Sequence, residues 1–197
     1  MADQNLLVKR EDVLKLVGAR MTWTDGLYEA KGFKGSQQNK KYKAKLLIAK
    51  DSANAAAIKN RILEVAKEEW PKDYEKVLAQ LKGTDKFCFR DGDAKDTDGF
   101  AGNYVLSASN KRRPRLLKAN REEILTDDGT LYSGCYVVAH VNIYPYDTDF
   151  GKGISCGLQG VQFYRDGEAF SGGRVSSIDE FDEIPQADAL SGDNAFI

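Results

Sequence analysis

Residues Tyr132–Tyr146 read YSGCYVVAHVNIYPY. Every second residue from Cys135 to Ile143 (Cys135, Val137, Ala139, Val141, Ile143) is small or β-branched and apolar. That is the period of a strand with one face in a core. The alternate positions carry Tyr132, Tyr136, Val138, His140, Asn142, Tyr144 and Tyr146, a flat face rich in aromatic and hydrogen-bonding groups. The stretch predicts a long β-strand with two unlike sides. Tyrosines suit half-exposed strands on packing grounds alone, so the polar face takes on meaning only through its neighbours.

The nearest such neighbour is NKRRPRLLKANR at Asn110–Arg121, which follows a predicted strand over Asn103–Ser109. Lys111, Arg112, Arg113, Arg115, Lys118 and Arg121 give it a formal charge of +6 without one acid. At a strand end, such arginines fork onto phosphates or stack on bases. Binding single strands without sequence preference takes a positive groove for the backbone and aromatic faces for the bases. The basic segment and the tyrosine face supply both if the fold sets them side by side. Stacking contributes roughly 1–3 kcal/mol per base, so three engaged tyrosines outweigh the steering of a weakly charged body. A solvated basic loop, or a duplex- or RNA-binding module, is also compatible with these residues.

Upstream, Tyr42, Ala44, Leu46 and Ile48 alternate with Lys41, Lys43 and Lys45, a strand with an apolar inner face and a lysine outer face. A lysine-guarded edge strand would look the same. Asp51-Ser52 is a helix cap, and Ile58, Ile62, Val65 and Ala66 recur at helical spacing as far as Trp70. Pro71 interrupts, and Tyr74, Val77, Leu78 and Leu81 continue to Gly83, so residues 53–82 are predicted as a helix pair. Val13, Leu14 and Val17 predict a short helix within Leu6–Val17, and Ala19–Trp23 a strand entering an Asp25-Gly26 turn. Lys31–Lys41 reads as a polar loop, with further strands over Lys86–Arg90 and Gly157–Tyr164. Short strands spaced by Gly and Asp turns around one helical insertion predict a mainly β fold. We expect an OB-fold-like β-barrel occupying residues 1–174.

Residue supply removes most catalytic readings. His140 is the sole histidine of the 197 residues and has no nucleophile elbow to serve. Gly151-Lys152-Gly153 lacks the remainder of a P-loop, and no dinucleotide fingerprint is present, so no cofactor is expected. Asp91, Asp93, Asp96 and Asp98 lie close together in RDGDAKDTDG, but glycine and glutamate do not fall where a calcium loop requires them. A polar turn is the reading adopted. The rival is a metal-dependent nuclease or other DNA-processing enzyme built on those four acids. Cys88, Cys135 and Cys156 are odd in number and widely spaced, which fits reduced core residues rather than disulfides or zinc. There is no apolar run long enough for a bilayer and no secretory leader pattern at the N-terminus, so a cytoplasmic location is expected.

The formal net charge of −1 hides an asymmetry. Residues 175–197 hold six acids (Asp179, Glu180, Asp182, Glu183, Asp188, Asp193) and no Lys or Arg, leaving +5 on residues 1–174. This predicts a flexible acidic tail able to compete for a basic groove. It ends on Phe196 and Ile197, an apolar tip suited, with Asp182 and Glu183, to docking on another protein. A barrel edge or the 53–82 helix offers a surface for a homo-oligomer.

Several stretches together resemble the single-stranded DNA-binding proteins of tailed bacteriophages, in particular a group long catalogued as a phage domain of unknown function. They are FRDGD (Phe89–Asp93), GNYVLSASNKRRPRLL (Gly102–Leu117), LYSGCYVVAHVNIYPYD (Leu131–Asp147) and GKGISCGLQGVQFYRDGE (Gly151–Glu168). KYKAKLLIAKDS from Lys41 is similar as well. The resemblance implies an OB fold, single-strand binding without base specificity, a role in phage replication and recombination, and residence in the host cell cytoplasm. It places the family's basic segment on Lys111, Arg112, Arg113 and Arg115 and its aromatic strand on Tyr132 and Tyr136. The tail likewise resembles those that recruit phage or host replication proteins. The full set of expected DNA contacts is Lys41, Lys43, Arg90, Tyr104, Lys111, Arg112, Arg113, Arg115, Tyr132, Tyr136, Tyr144 and Tyr146.

Overall fold

The computed structural model describes residues 12–32 and 38–170. Its central strand is β6 (Tyr136–Thr148), whose inward residues Val137, Ala139, Val141 and Ile143 are buried, as is Cys135 just before it. Antiparallel partners flank it: β1 (Val13–Thr22) on one side and β7 (Gly151–Arg165) on the other. β1 also pairs with β2 (Tyr42–Ala49), and β2 with β4 (Asn103–Asn110). A parallel pairing of β4 with β7, at Ser109 and Gly157, closes the strands into a barrel. Asn110 Nδ2 reinforces the seam by donating to Leu158 O at 2.9 Å. Two short strands extend the sheet, β3 (Phe89–Asp91) on β4 and β5 (Arg115–Leu117) parallel to β7.

The predicted helix within Leu6–Val17 is not found from residue 13 onward, where the chain is β1; residues 1–11 lie outside the described residues. Alternation wins there, because Leu16 enters the core while Lys15 and Val17 face out. Gly18, at φ 72°, makes a bulge that restores Ala19 and Met21 to the interior. β2 is an interior strand, so its lysines do not guard an edge. Tyr132 precedes β6 instead of lying in it, and Asn142, expected on the open face, is buried.

The helix pair forms as α2 (Ala53–Glu69) and α3 (Tyr74–Leu81). A one-turn helix, α1 (Asp25–Tyr28), sits in the β1–β2 connection. Ser52 caps α2 by accepting from Ala55 N at 3.2 Å. Ala55, Ile58, Ile62, Val65 and Ala66 are buried along its inner face, and α2 packs against β6, β1 and β2. The three cysteines are free and buried. Among the described residues no helix is long and apolar enough to cross a membrane. The tail from residue 175 lies outside the described residues, including Asp182, Glu183, Phe196 and Ile197.

Candidate nucleic-acid interface

The outer face of β2 and β4 has two unlike halves. Because Ala44, Leu46 and Ile48 enter the core, Lys43, Lys45 and Leu47 point outward, opposite Ser109, Ser107 and Val105 of β4. At one end Leu47, Val105 and Phe100 form a small apolar cluster covered by Phe170. At the other end stand the two lysines. Arg90, opposite Val105 on β3, shares this outer side. Burial, then the charges of Lys95 and Arg90, push the Lys45 ammonium down to about 8. It lies 3.6 Å from the ring centroid of Trp23. Lys43 Nζ donates to Gly32 O at 3.3 Å, and Lys41 pairs through its backbone with Lys31.

The basic segment runs beside β7, one strand removed from β6. Within it, β5 sets Arg115 level with Gly160 and His140, and Leu117 level with Gln162 and Val138. With glycine at position 160 the floor between Arg115 and His140 stays low. A cleft of about 620 Å³ results, lined among others by Arg113, Arg115, Val138, His140, Gln159 and Gln162. Arg113 is tied by Nη2 to the carbonyls of Ile124 and Leu125. Arg115 is mostly exposed, its Nε 3.8 Å from Glu123 Oε1, and Lys111 and Arg112 are exposed in the β4–β5 turn. Lys118 is engaged by Asp128 at 3.2 Å and Glu122 at 3.8 Å.

The tyrosines do not form one open platform. The Arg165 guanidinium lies 3.5 Å from the Tyr136 ring centroid, and that of Arg20 lies at 5.7 Å. The Tyr132 hydroxyl donates to Asp166 Oδ1 or Gly167 O, both at 2.9 Å, and accepts from Gly167 N at 3.0 Å. Tyr146 lies over Gly153, where a Cβ would stand 2.2 Å from the ring, while Tyr144 is half-buried. Tyr104 faces the core side beside α2, with Phe89 at 4.7 Å and the Lys59 ammonium 4.5 Å from its ring. The expected contacts thus divide between the lysine face, the cleft beside β5 and separate tyrosine settings.

Sequence reasoning missed Trp23 and Lys95, and did not single out Lys45 from its strand. Trp23 follows Ala19 and Met21 at strand spacing, which points it inward; β1 instead ends at Thr22 and Trp23 turns out at φ 59°. Lys45 was legible from its alternation with Leu46, but its crowding by Lys95 and Arg90 depends on a distant loop. A second exposed aromatic, Phe150, occupies the β6–β7 turn, its carbonyl held by Lys86 Nζ at 2.5 Å.

The aspartate cluster has other work. Lys50 Nζ bridges Asp91 Oδ1 at 2.6 Å and Asp93 Oδ2 at 2.5 Å, and holds both carboxyls below the usual range. Asp93 Oδ1 also accepts from Gly102 N at 2.7 Å, which ties the turn to β4. These contacts fit a turn clamp, as the polar-turn reading expects. Among the described residues no three His, Cys, Asp or Glu side chains are grouped to hold a metal ion.

A closed barrel with β1 shared between β2 and β6, a parallel β4–β7 seam and a cationic β2–β4 face defines an OB-type protein, a class whose corresponding strand face binds oligonucleotides and oligosaccharides. The family model described as the ssDNA-binding protein of Enterobacter phage Enc34 matches residues 13–191, and the chain belongs to that family. It is 44% identical over 178 residues to protein p50 of Acyrthosiphon pisum secondary endosymbiont phage 1, covering 89% of this chain and 95% of that one. The structure is similar to the single-stranded DNA-binding protein from bacteriophage Enc34 in complex with ssDNA. That match has a TM-score of 0.69 at 25% identity and covers 82% and 91% of the two chains. Gp2.5, a single-stranded DNA-binding protein of bacteriophage T7, shares the fold at 11% identity, with a TM-score of 0.56 over 84% and 98% of the chains.

Proposed function

We propose that this protein binds single-stranded DNA without base specificity and without catalysis, in phage replication and recombination within the host cell cytoplasm. The strand crosses the outer face of β2 and β4, where Lys43, Lys45 and Arg90 contact phosphates. Lys111, Arg112, Arg113 and Arg115 extend the positive track beside β5. The observation that carries this reading is the shared outer side of Lys43, Lys45 and Arg90, where burial and the charges of Lys95 and Arg90 hold the Lys45 ammonium down. An arriving phosphate relieves that repulsion. Family membership and the ssDNA complex of the Enc34 relative support the same ligand.

The tail has a place in this scheme. Phe170 covers Leu47 and Val105, so the chain sets out for the acidic stretch from the end of the lysine face. Asp182 and Glu183 lie 12 and 13 residues further on, which an extended chain covers in roughly 40 Å. The tail then competes with DNA at low salt, and its Phe196-Ile197 tip recruits a replication protein.

Competition against a labelled oligo-dT by equal lengths of dT, duplex DNA and RNA tests the function. Unlabelled dT is expected to displace the probe at the lowest concentration. Equal or better displacement by duplex contradicts the single-strand reading.

A further inference from the structure

Trp23 is an exposed indole in a chain that buries its other tryptophan: Trp23 is 62% exposed and Trp70 6%. Its backbone is in the left-handed region at φ 59°, an uncommon conformation for a bulky residue that tends to persist where its surroundings enforce it, often at a functional site. The mount is firm. Directly after it, Leu27 N donates to Thr24 O at 2.8 Å and the Leu27 side chain is fully buried. Gly26 lies so close to β2 that a Cβ there would stand 2.8 Å from Lys43 O. The Lys45 ammonium occupies one side of the ring at 3.6 Å from its centroid.

We propose that Trp23 is a base-stacking site, taking one base of a single strand on the ring face turned away from Lys45. The inference rests on the lysine face being the DNA path, and it names the aromatic partner that the path requires. A base on Trp23 brings its own and the adjoining phosphates toward Lys45 and Lys43. The indole and the lysines then act as one base-plus-phosphate unit. Stacking uses the π-face that every base has, so the site discriminates single strands from duplex without reading sequence. Tyr136 offers less, because it is half-buried with both Arg165 and Arg20 against its ring.

The test combines tryptophan fluorescence with the anisotropy of fluorescein-labelled oligo-dT. Wild-type emission is expected to fall as dT is added and to saturate with the anisotropy curve. The Trp23→Phe variant, left with buried Trp70, should bind dT with little change in emission. Trp23→Ala should weaken binding by about 5- to 150-fold, the range stacking spans, with its thermal unfolding and the salt dependence of binding nearly unchanged. Binding seen by anisotropy without quenching, together with a Trp23→Ala affinity within about twofold of wild type, overturns the stacking site while leaving the DNA reading intact. A flat anisotropy trace for the wild-type protein overturns the DNA reading and the stacking site with it.

Discussion

On the β2–β4 face, Lys45 ties charge to geometry. Burial and two neighbouring cations lower its folded-state value to about 8, below the ordinary 10.5. The folded protein therefore holds fewer protons than the unfolded chain between about pH 8 and pH 10.5, and through this group stability rises across that window. DNA acts in the opposite sense, because a phosphate favours the ammonium and draws a proton back. Oligo-dT affinity should fall as pH rises from about 7.5 to about 9.5, by at most about tenfold per pH unit for one linked proton. Lys45→Arg, which stays charged, should flatten that profile in anisotropy titrations. A wild-type affinity independent of pH would place Lys45 off the DNA path. The lysine itself was legible in the KYKAKLLIA alternation; its perturbation was not, because Arg90 and Lys95 reach it from residues far along the chain.

Among the elements, β6 was the most legible, since Val137 to Ile143 have a strand period and occupy one continuous core. Its start was misplaced because tyrosines 132 and 136 share parity, although only Tyr136 belongs to the strand. β1 was misread in part as helix because Val13, Leu14 and Val17 happen to sit at helical spacing. The bulge at Gly18 shows why, breaking a period-2 pattern that otherwise joins Leu16 to Ala19 and Met21. β5 escaped notice because three residues after Pro114 gain their strand character only from parallel pairing with Gly160–Gln162. α2 was foreseeable from cap and period, and its role follows from burial: Ile58 is fully enclosed beneath the strands it packs on. Ile58→Ala should cost roughly 2–5 kcal/mol in urea unfolding, while the folded fraction binds dT normally. A cost below about 1 kcal/mol would contradict a core role for this helix.

The molecule as a whole is nearly neutral, and its charge is unevenly distributed between a basic body and an acidic tail. The OB class was legible from short strands, glycine turns and the quoted family stretches. Which strand faces share a side was not, because barrel closure decides it. The basic segment lies across β7 from β6 and shares a cleft with Val138 and His140, with Tyr136 engaged by Arg165. The cationic face assembles instead from β2, β3 and a loop. The central claim, that phosphates run over Lys43 and Lys45, is tested most directly by oligo-dT titrations from about 50 to about 300 mM salt. Wild type is compared with the double variant Lys43→Ala, Lys45→Ala. With each phosphate contact contributing about −0.7 to the log–log slope, wild type should show about −2 to −4 and the variant a slope shallower by about 1.4, with weaker binding throughout. Superimposable curves for the two proteins would contradict the account.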